Sequence, residues 1–195
     1  MNVPWSDPFT RFAAIYEQAK VAQPKDPNAM TLATVDERGR PTLRVVLLKD
    51  FDEQGFVFYT NHTSRKGRDA LATKVAALNF YWPSLDTQVR IEGPVKAVSD
   101  AEADVYFATR PRESQLGAWA SLQSQPLPSR EALELRLADL TKSYEGKAVP
   151  RPPHWSGFRV APERIEFWRA HPFRLHWRDV YERQDSGWKK GMLYP

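Results

Sequence analysis

From Met30 onward the chain alternates apolar and polar residues in short runs, the two-residue period of half-buried strands. "MTLATVD" and "TLRVVLLKDF" flank the turn signal "ERGRP", and "FVFYTN" follows "DEQG". "VAALNFYW" and "DTQVRIEGPVKAV" are separated by "PSL" alone. Connections this short predict antiparallel pairing, because parallel crossovers need about a dozen residues or more. Residues 8–22 carry Phe9, Phe12, Ala13 and Tyr16 at helical spacing, and "QPKDPNA" ends that helix. Further helices are expected over 64–73, 99–122 and 129–144. After the proline-rich loop "AVPRPPHWSG", strands resume at "GFRVAP", "RIEFWRA" and "RLHWRDVYER". The pattern predicts one mainly β domain over residues 1–195, an antiparallel barrel with an N-terminal helix and a helical insert at about 99–144.

The last of these runs is unusual. Read as a strand, "FRLHWRDVYER" (173–183) places Arg174, His176 and Arg178 on one face and Leu175, Trp177 and Asp179 on the other. Three basic side chains then look onto either solvent or an anionic ligand.

Composition narrows the choice. With 42% hydrophobic residues and seven Trp, the 195-residue chain is long and apolar enough for a packed core. Its net charge of +4 suits a small anion, and no basic run of the kind that tracks a phosphate backbone is present, so nucleic acid is not the expected partner. The absence of cysteine excludes disulfides, thiol catalysis and cysteine-ligated metal. His62, His154, His171 and His176 lack the spacing of a helical zinc site, and no metal is expected. Neither nucleotide-binding glycine motif occurs. The first twenty residues contain no long apolar stretch, so neither a signal peptide nor a membrane span is expected, and a cytoplasmic protein follows. Glu102 and Asp104 read as a solvated helix face.

Candidate anion chemistry accumulates in three places. Ser64 is placed to cap a helix whose first turn holds Arg65 and Lys66, where cations oppose the helix dipole unless an anion is bound; an ordinary surface helix is the alternative. Arg44 and Lys49 interrupt an apolar strand and, five residues apart, face opposite sides unless a bulge intervenes. Tyr106 and Arg110 are one helical turn apart, and Pro111 can start a new helix with Ser114 in its first turn.

These stretches make the chain recognisable. "ATVDERGRPTLRVVLLK", "FVFYTNHTSRKG", "QVRIEG", "YFATRPRESQLGAWASLQS", "WSGFRV", "RIEFW" and "RLHWR" run in order over most of the chain, which resembles the pyridoxine/pyridoxamine 5′-phosphate oxidase family. The resemblance implies a homodimeric FMN-binding split β-barrel with two flavin sites at the subunit interface. Arg44, Val45, Lys49, Tyr59, Thr60, Arg65 and Lys66 would bind FMN from one subunit, its phosphate near Arg65 and Lys66. Gln88, Gln123, Ser124, Trp168 and Arg178 would complete the site from the other. Lys49, Tyr106, Arg110 and Ser114 would grip the substrate phosphate. Arg174 and His176 would act as substrate-binding and catalytic residues at the pyridine ring. The implied reaction moves a hydride from substrate C4′ to flavin N5, and O2 then reoxidises the flavin with release of H2O2, giving pyridoxal 5′-phosphate.

The sequence departs from the family at three points. Only "MNVPWS" precedes Asp7 where a longer basic arm is common, the usual ending Arg-Leu-x-Pro is "MLYP" with Met192 in place of arginine, and Trp177 stands where an acid is common. Two other readings remain: a related FMN oxidase acting on another small molecule, such as a phenazine precursor, and a non-catalytic protein that binds flavin or pyridoxal phosphate.

Overall fold

The structure, a computed structural model, describes residues 7–195. The expectation about the N-terminal arm concerns residues outside that range. Helix α1 spans Pro8–Ala22; Asp7 caps it, its Oδ2 accepting from the Thr10 amide at 2.7 Å, and Pro8 needs no amide partner in the first turn. Strands β1 (Ala29–Val35), β2 (Pro41–Leu47), β3 (Asp50–Asp52) and β4 (Gly55–Asn61) follow, then helix α2 (Arg65–Thr73). β5 (Val75–Trp82) and β6 (Thr87–Ala97) precede the helices α3 (Asp100–Ala108), α4 (Arg112–Ala120) and α5 (Arg130–Ser143). β7 (Trp155–Val160), β8 (Arg164–Arg169), β9 (Trp177–Gln184) and β10 (Gly187–Met192) close the chain. Among the described residues no helix is long and apolar enough to cross a membrane.

Each strand pair is antiparallel, and short connections require this for β1/β2, β3/β4, β5/β6, β8/β9 and β9/β10. The main path runs β10-β9-β8-β6-β5-β1-β2. β6 is the pivot: its first half pairs with β8, and Val95–Ala97 pair with β7, which carries β4 and β3. Gly93 makes the bend possible, because a Cβ there would lie 2.1 Å from the Ala161 carbonyl oxygen. The sheet curls back until β2 approaches β4, yet these two strands share no ladder. That gap is the split of the barrel.

The barrel is filled by aromatic side chains, and α1 plugs one end. Phe12 is fully buried, with ring centroids 4.9 Å from both Phe51 and Phe56 and 5.1 Å from Phe80. Each such side chain removed from water contributes on the order of 1.5–3 kcal/mol. A smaller cluster of Phe107, Leu116, Val149 and Trp155 seats α3 and α4 against β7.

Three expectations need correction. The strand expected over 42–51 breaks after Leu47, where Leu48 donates its amide to the Asn28 carbonyl and Lys49 donates to that of Val57. Residues 99–122 hold two helices, as the helix start expected at Pro111 implies, since Pro111 cannot donate to α3 and instead caps α4. The strand expected from Arg174 starts only at Trp177; residues 172–174 form a 3₁₀ turn in which Phe173 and Arg174 have φ of 61° and 62°. Strand β10 was not expected at all, since "GWKKGM" has little β pattern, and it forms by pairing with β9.

Candidate active site at the split of the barrel

A cavity of about 640 Å³ opens between β2 and β4, beneath α3 and α4. Val45, Lys49, Tyr59, Thr60, Lys66, Tyr106, Arg110, Ser114 and Gln123 all line it. Lys49, just beyond the break after Leu47, lines the same space as Val45 and Leu47 of β2. One wall is a stack of nearly parallel rings: Tyr59 and Tyr106 lie 4.0 Å apart between centroids, and Tyr59 and Trp155 lie 5.3 Å apart. The Arg110 guanidinium sits 4.7 Å from the centre of the Trp155 ring. Burial pushes the Arg110 pKa down, and its Nη1 is buried without a hydrogen-bond partner. An arginine left with an unpaired donor in a cavity is suited to an anion. Burial also raises the Tyr59 phenol to about 12, with Glu102 adding to the shift, so it stays neutral.

The α2 start forms the second part. Ser64 caps it as expected, its Oγ accepting from the Gly67 amide and donating to the Asn61 carbonyl. A Cβ on Gly67 would lie 2.4 Å from the His62 carbonyl oxygen, so the helix can sit this close to the end of β4 only with glycine there. Lys66 is held at about 8, first by desolvation and then by the nearby Arg44 charge. Its Nζ donates to Oε1 of Gln123 at 2.7 Å, and the Arg65 amide donates to Oγ of Ser124 at 3.2 Å. Gln123 and Ser124 therefore stand beside Arg65 and Lys66 of their own chain, which corrects their expected grouping with Gln88, Trp168 and Arg178. The 121–128 turn folds back along α2, a contact between residues too distant in sequence for periodicity to register; Ser124 takes a φ of 70° to make it.

Arg44 is braced by residues that sequence reasoning missed. Its guanidinium donates to the hydroxyls of Thr34 and Thr42 and to the carbonyls of Leu32 and Thr42. Both hydroxyls donate in turn to Oδ2 of the buried Asp69 on α2, at 3.0 and 3.3 Å. The two-residue spacing of Thr42 and Arg44 was the available signal.

Gln88, Trp168 and Arg178 are in register across β6, β8 and β9 and form one row on one sheet face. The His176 ring packs on Trp168 at 4.6 Å, and Arg174 projects from the exposed turn beside it. The grouping of Arg174, His176 and Arg178 therefore survives in part, although a turn and a strand create it rather than one strand face. None of these five residues lines the cavity at the split. β5 and β1 separate β6 from β2, so the chain carries two half-sets on different parts of its surface. Glu102 and Asp104 lie on a solvent-accessible face of α3, where they pair with Arg159 and Arg151.

A second cavity, about 910 Å³, lies between the 121–128 turn and α5. Its lining is largely Leu, Ala and Pro and brings no cluster of charged donors together, so it is not the candidate site.

The half-set at the split fits the FMN phosphate: Arg44, Arg65 and Lys66 gather at a helix start, and the Lys66 ammonium is depressed by burial and by the neighbouring Arg44 charge. A curled barrel with this basic, aromatic-walled cleft defines an FMN-binding split barrel. Residues 16–144 match the family described as pyridoxamine 5′-phosphate oxidase, and residues 155–195 match the pyridoxine 5′-phosphate oxidase C-terminal dimerisation region. The chain belongs to the pyridoxamine 5′-phosphate oxidase family, and FMN is its cofactor. It is 64% identical to the pyridoxine/pyridoxamine 5′-phosphate oxidase of Myxococcus xanthus strain DK1622, over 97% of this chain and 92% of that one. The enzyme of the same name from Rhodospirillum rubrum is 58% identical over 97% and 96% of the two chains. Among solved structures, PhzG from Burkholderia lata 383 in complex with tetrahydrophenazine-1-carboxylic acid superposes with a TM-score of 0.93 at 37% identity, covering 98% of this chain and 94% of that one.

Proposed function

We propose that this protein oxidises pyridoxamine 5′-phosphate and pyridoxine 5′-phosphate to pyridoxal 5′-phosphate as a homodimer. The observation that carries the reading is the unpaired buried Nη1 of Arg110, which shares one cavity with Lys49, Tyr106 and Ser114. Two cations and two hydroxyls around one space suit a phosphate monoester, whose three oxygens accept several charge-assisted bonds. The same cavity reaches Lys66, so the substrate phosphate and the FMN half-site adjoin. FMN, when bound, would supply the redox chemistry, accepting a hydride from the substrate and passing the electrons to O2 to give H2O2; with the amine substrate, water would release ammonia from the resulting imine to leave the aldehyde.

The chain's own residues bind and orient. Arg65, Lys66, Gln123 and Ser124 hold the FMN phosphate, Arg44 and the Val45 backbone approach the flavin, and Tyr59 and Thr60 wall its edge. Gln88, Trp168 and Arg178 of the second subunit close over it. Arg174 and His176 meet the substrate's ring, hold it against the flavin and exclude water. Two observations support the dimer: the flavin set is divided between two parts of the surface, and edge strand β2 exposes Leu43 and Val45 at 68% and 66%. Cytoplasmic residence completes the reading, supported by a cysteine-free sequence.

The likeness to PhzG supports a second reading, oxidation of a phenazine precursor on the same flavin. The two diverge at the phosphate-binding set, which an unphosphorylated substrate does not need. Incubation with pyridoxamine 5′-phosphate and FMN, reading aldehyde and peroxide together, tests the proposal. Stoichiometric formation of both is expected. Binding without turnover would leave a carrier, and turnover of tetrahydrophenazine-1-carboxylic acid alone would favour the second reading.

A further inference from the structure

Glu166 lies at the centre of β8 with its side chain wholly buried, on the polar face that also carries Trp168. The opposite face of β8, with Ile165 and Phe167, belongs to the core. Both carboxylate oxygens are engaged by Arg178: Nε donates to Oε1 at 2.8 Å and Nη2 to Oε2 at 3.1 Å, a two-pronged pair. Nη1 of Arg178 donates to the Tyr194 carbonyl at 2.9 Å, and the Leu193 amide donates back to the Arg178 carbonyl at 2.9 Å. The guanidinium is thus held from two sides, by a buried acid and by the C-terminal tail. Arg90 and Arg164 also reach Oε2 of Glu166, and Arg164 has a second acid in Glu92. Arg178 forms no other ion pair among the described residues.

Burying a carboxylate is costly, and an apolar residue of similar size would serve a sheet at least as well. The burial of this one makes sense if its purpose is to aim a cation. We infer that Glu166 is the positioning residue for Arg178, fixing its guanidinium in the plane and place from which it meets the flavin of the adjoining half-site. This rests on the reading that Arg178 is a flavin residue. Glu166 holds the Nε and Nη2 edge while the Tyr194 carbonyl holds Nη1, which fixes the plane of the guanidinium. A guanidinium without that anchor would sample several rotamers and lose most of its advantage over a solvated lysine.

Four proteins test it: the parent, Glu166→Gln, Arg178→Ala and the double variant, each titrated with FMN by flavin fluorescence and unfolded in urea. Arg178→Ala is expected to loosen FMN about tenfold or more, the usual effect of losing one charge-assisted bond. Glu166→Gln should loosen it by a similar factor, and the double variant no further than either alone. If Glu166→Gln loosens FMN equally on the Arg178→Ala background, its effect is general destabilisation and the inference is overturned. Unchanged FMN affinity in Glu166→Gln overturns it too. Unchanged affinity in Arg178→Ala instead removes the flavin role of Arg178, and the inference falls with that reading. Should Glu166→Gln fail to fold, Arg178→Lys reads the same contact, because an ammonium keeps the charge but cannot take both oxygens. Parent-like FMN binding by Arg178→Lys would overturn the inference.

Discussion

The Lys66 ammonium donates a 2.7 Å hydrogen bond to the side-chain oxygen of Gln123, 57 residues further along the same chain. The contact ties the start of α2 to the turn before α5 within one subunit. It also keeps a desolvated cation in place beside Arg44 while no anion is bound there.

That arrangement has a pH signature. Lys66 is depressed from 10.5 to about 8 in the folded protein, so between those values the unfolded chain holds a proton that the folded chain has released. Stability of the FMN-free protein should therefore rise with pH from about 8 towards 10.5. FMN affinity should move the opposite way, falling as Lys66 loses its charge above about 8. Titrations of FMN from pH 6.5 to 10, compared with Lys66→Arg, check this. A flat profile in the parent would contradict it.

Arg110→Ala should lower kcat/KM for pyridoxamine 5′-phosphate roughly 10- to 150-fold, the range for one hydrogen bond to a charged group. Unphosphorylated pyridoxamine should be a far poorer substrate of the parent, and the substitution should matter little for it. Steady-state assays of both proteins on both compounds form the test. Equal efficiency of the parent on the two would remove the phosphate site.

Gly67→Ala sets two effects against each other. Alanine favours a helix over glycine by about 1 kcal/mol. A Cβ here, however, meets the backbone oxygens of His62 and Asn61 at 2.4 and 2.7 Å, and backbone cannot step aside as a side chain can. The clash should win, with a net loss of about 1–3 kcal/mol in urea unfolding and weaker FMN binding, since the α2 start must shift.

Leu43→Glu should spare the folded subunit and break the dimer. Leu43 is 68% exposed on the edge strand, so the charge costs the isolated subunit little, whereas a paired interface would have to bury it. Light scattering should find monomers with FMN affinity strongly reduced. An FMN-loaded dimer would place the interface elsewhere.

Arg174→Gly separates stability from turnover. Arg174 has φ of 62°, a conformation that glycine adopts without strain. Relief of strain and the greater freedom of unfolded glycine oppose each other, so stability should stay within about 1 kcal/mol of the parent. Turnover of pyridoxamine 5′-phosphate should fall at least tenfold, because the guanidinium is gone. Parent-like kinetics would show that Arg174 does not reach the substrate.

Much of the architecture was legible in the chain because it rests on local rules. Helix α1 occurs at residues 8–22 as the spacing of its aromatic residues predicts, and short turns made the chain-adjacent strand pairs antiparallel. Ser64 could be read as a cap because capping needs only the residue and the amides that follow it. What the sequence could not determine by itself depends on contacts between distant segments. The break at Leu48 comes from hydrogen bonds to Asn28 and Val57 that a two-residue period does not encode. The turn at 172–174 replaced an expected strand because Phe173 and Arg174 adopt positive φ, against the preference of both residue types. Gln123 joined Lys66, and Glu166 joined Arg178, because folding brought unlike charges and dipoles together where water is scarce. Electrostatic partners of that kind are chosen by proximity in space, and only the tertiary structure decides it.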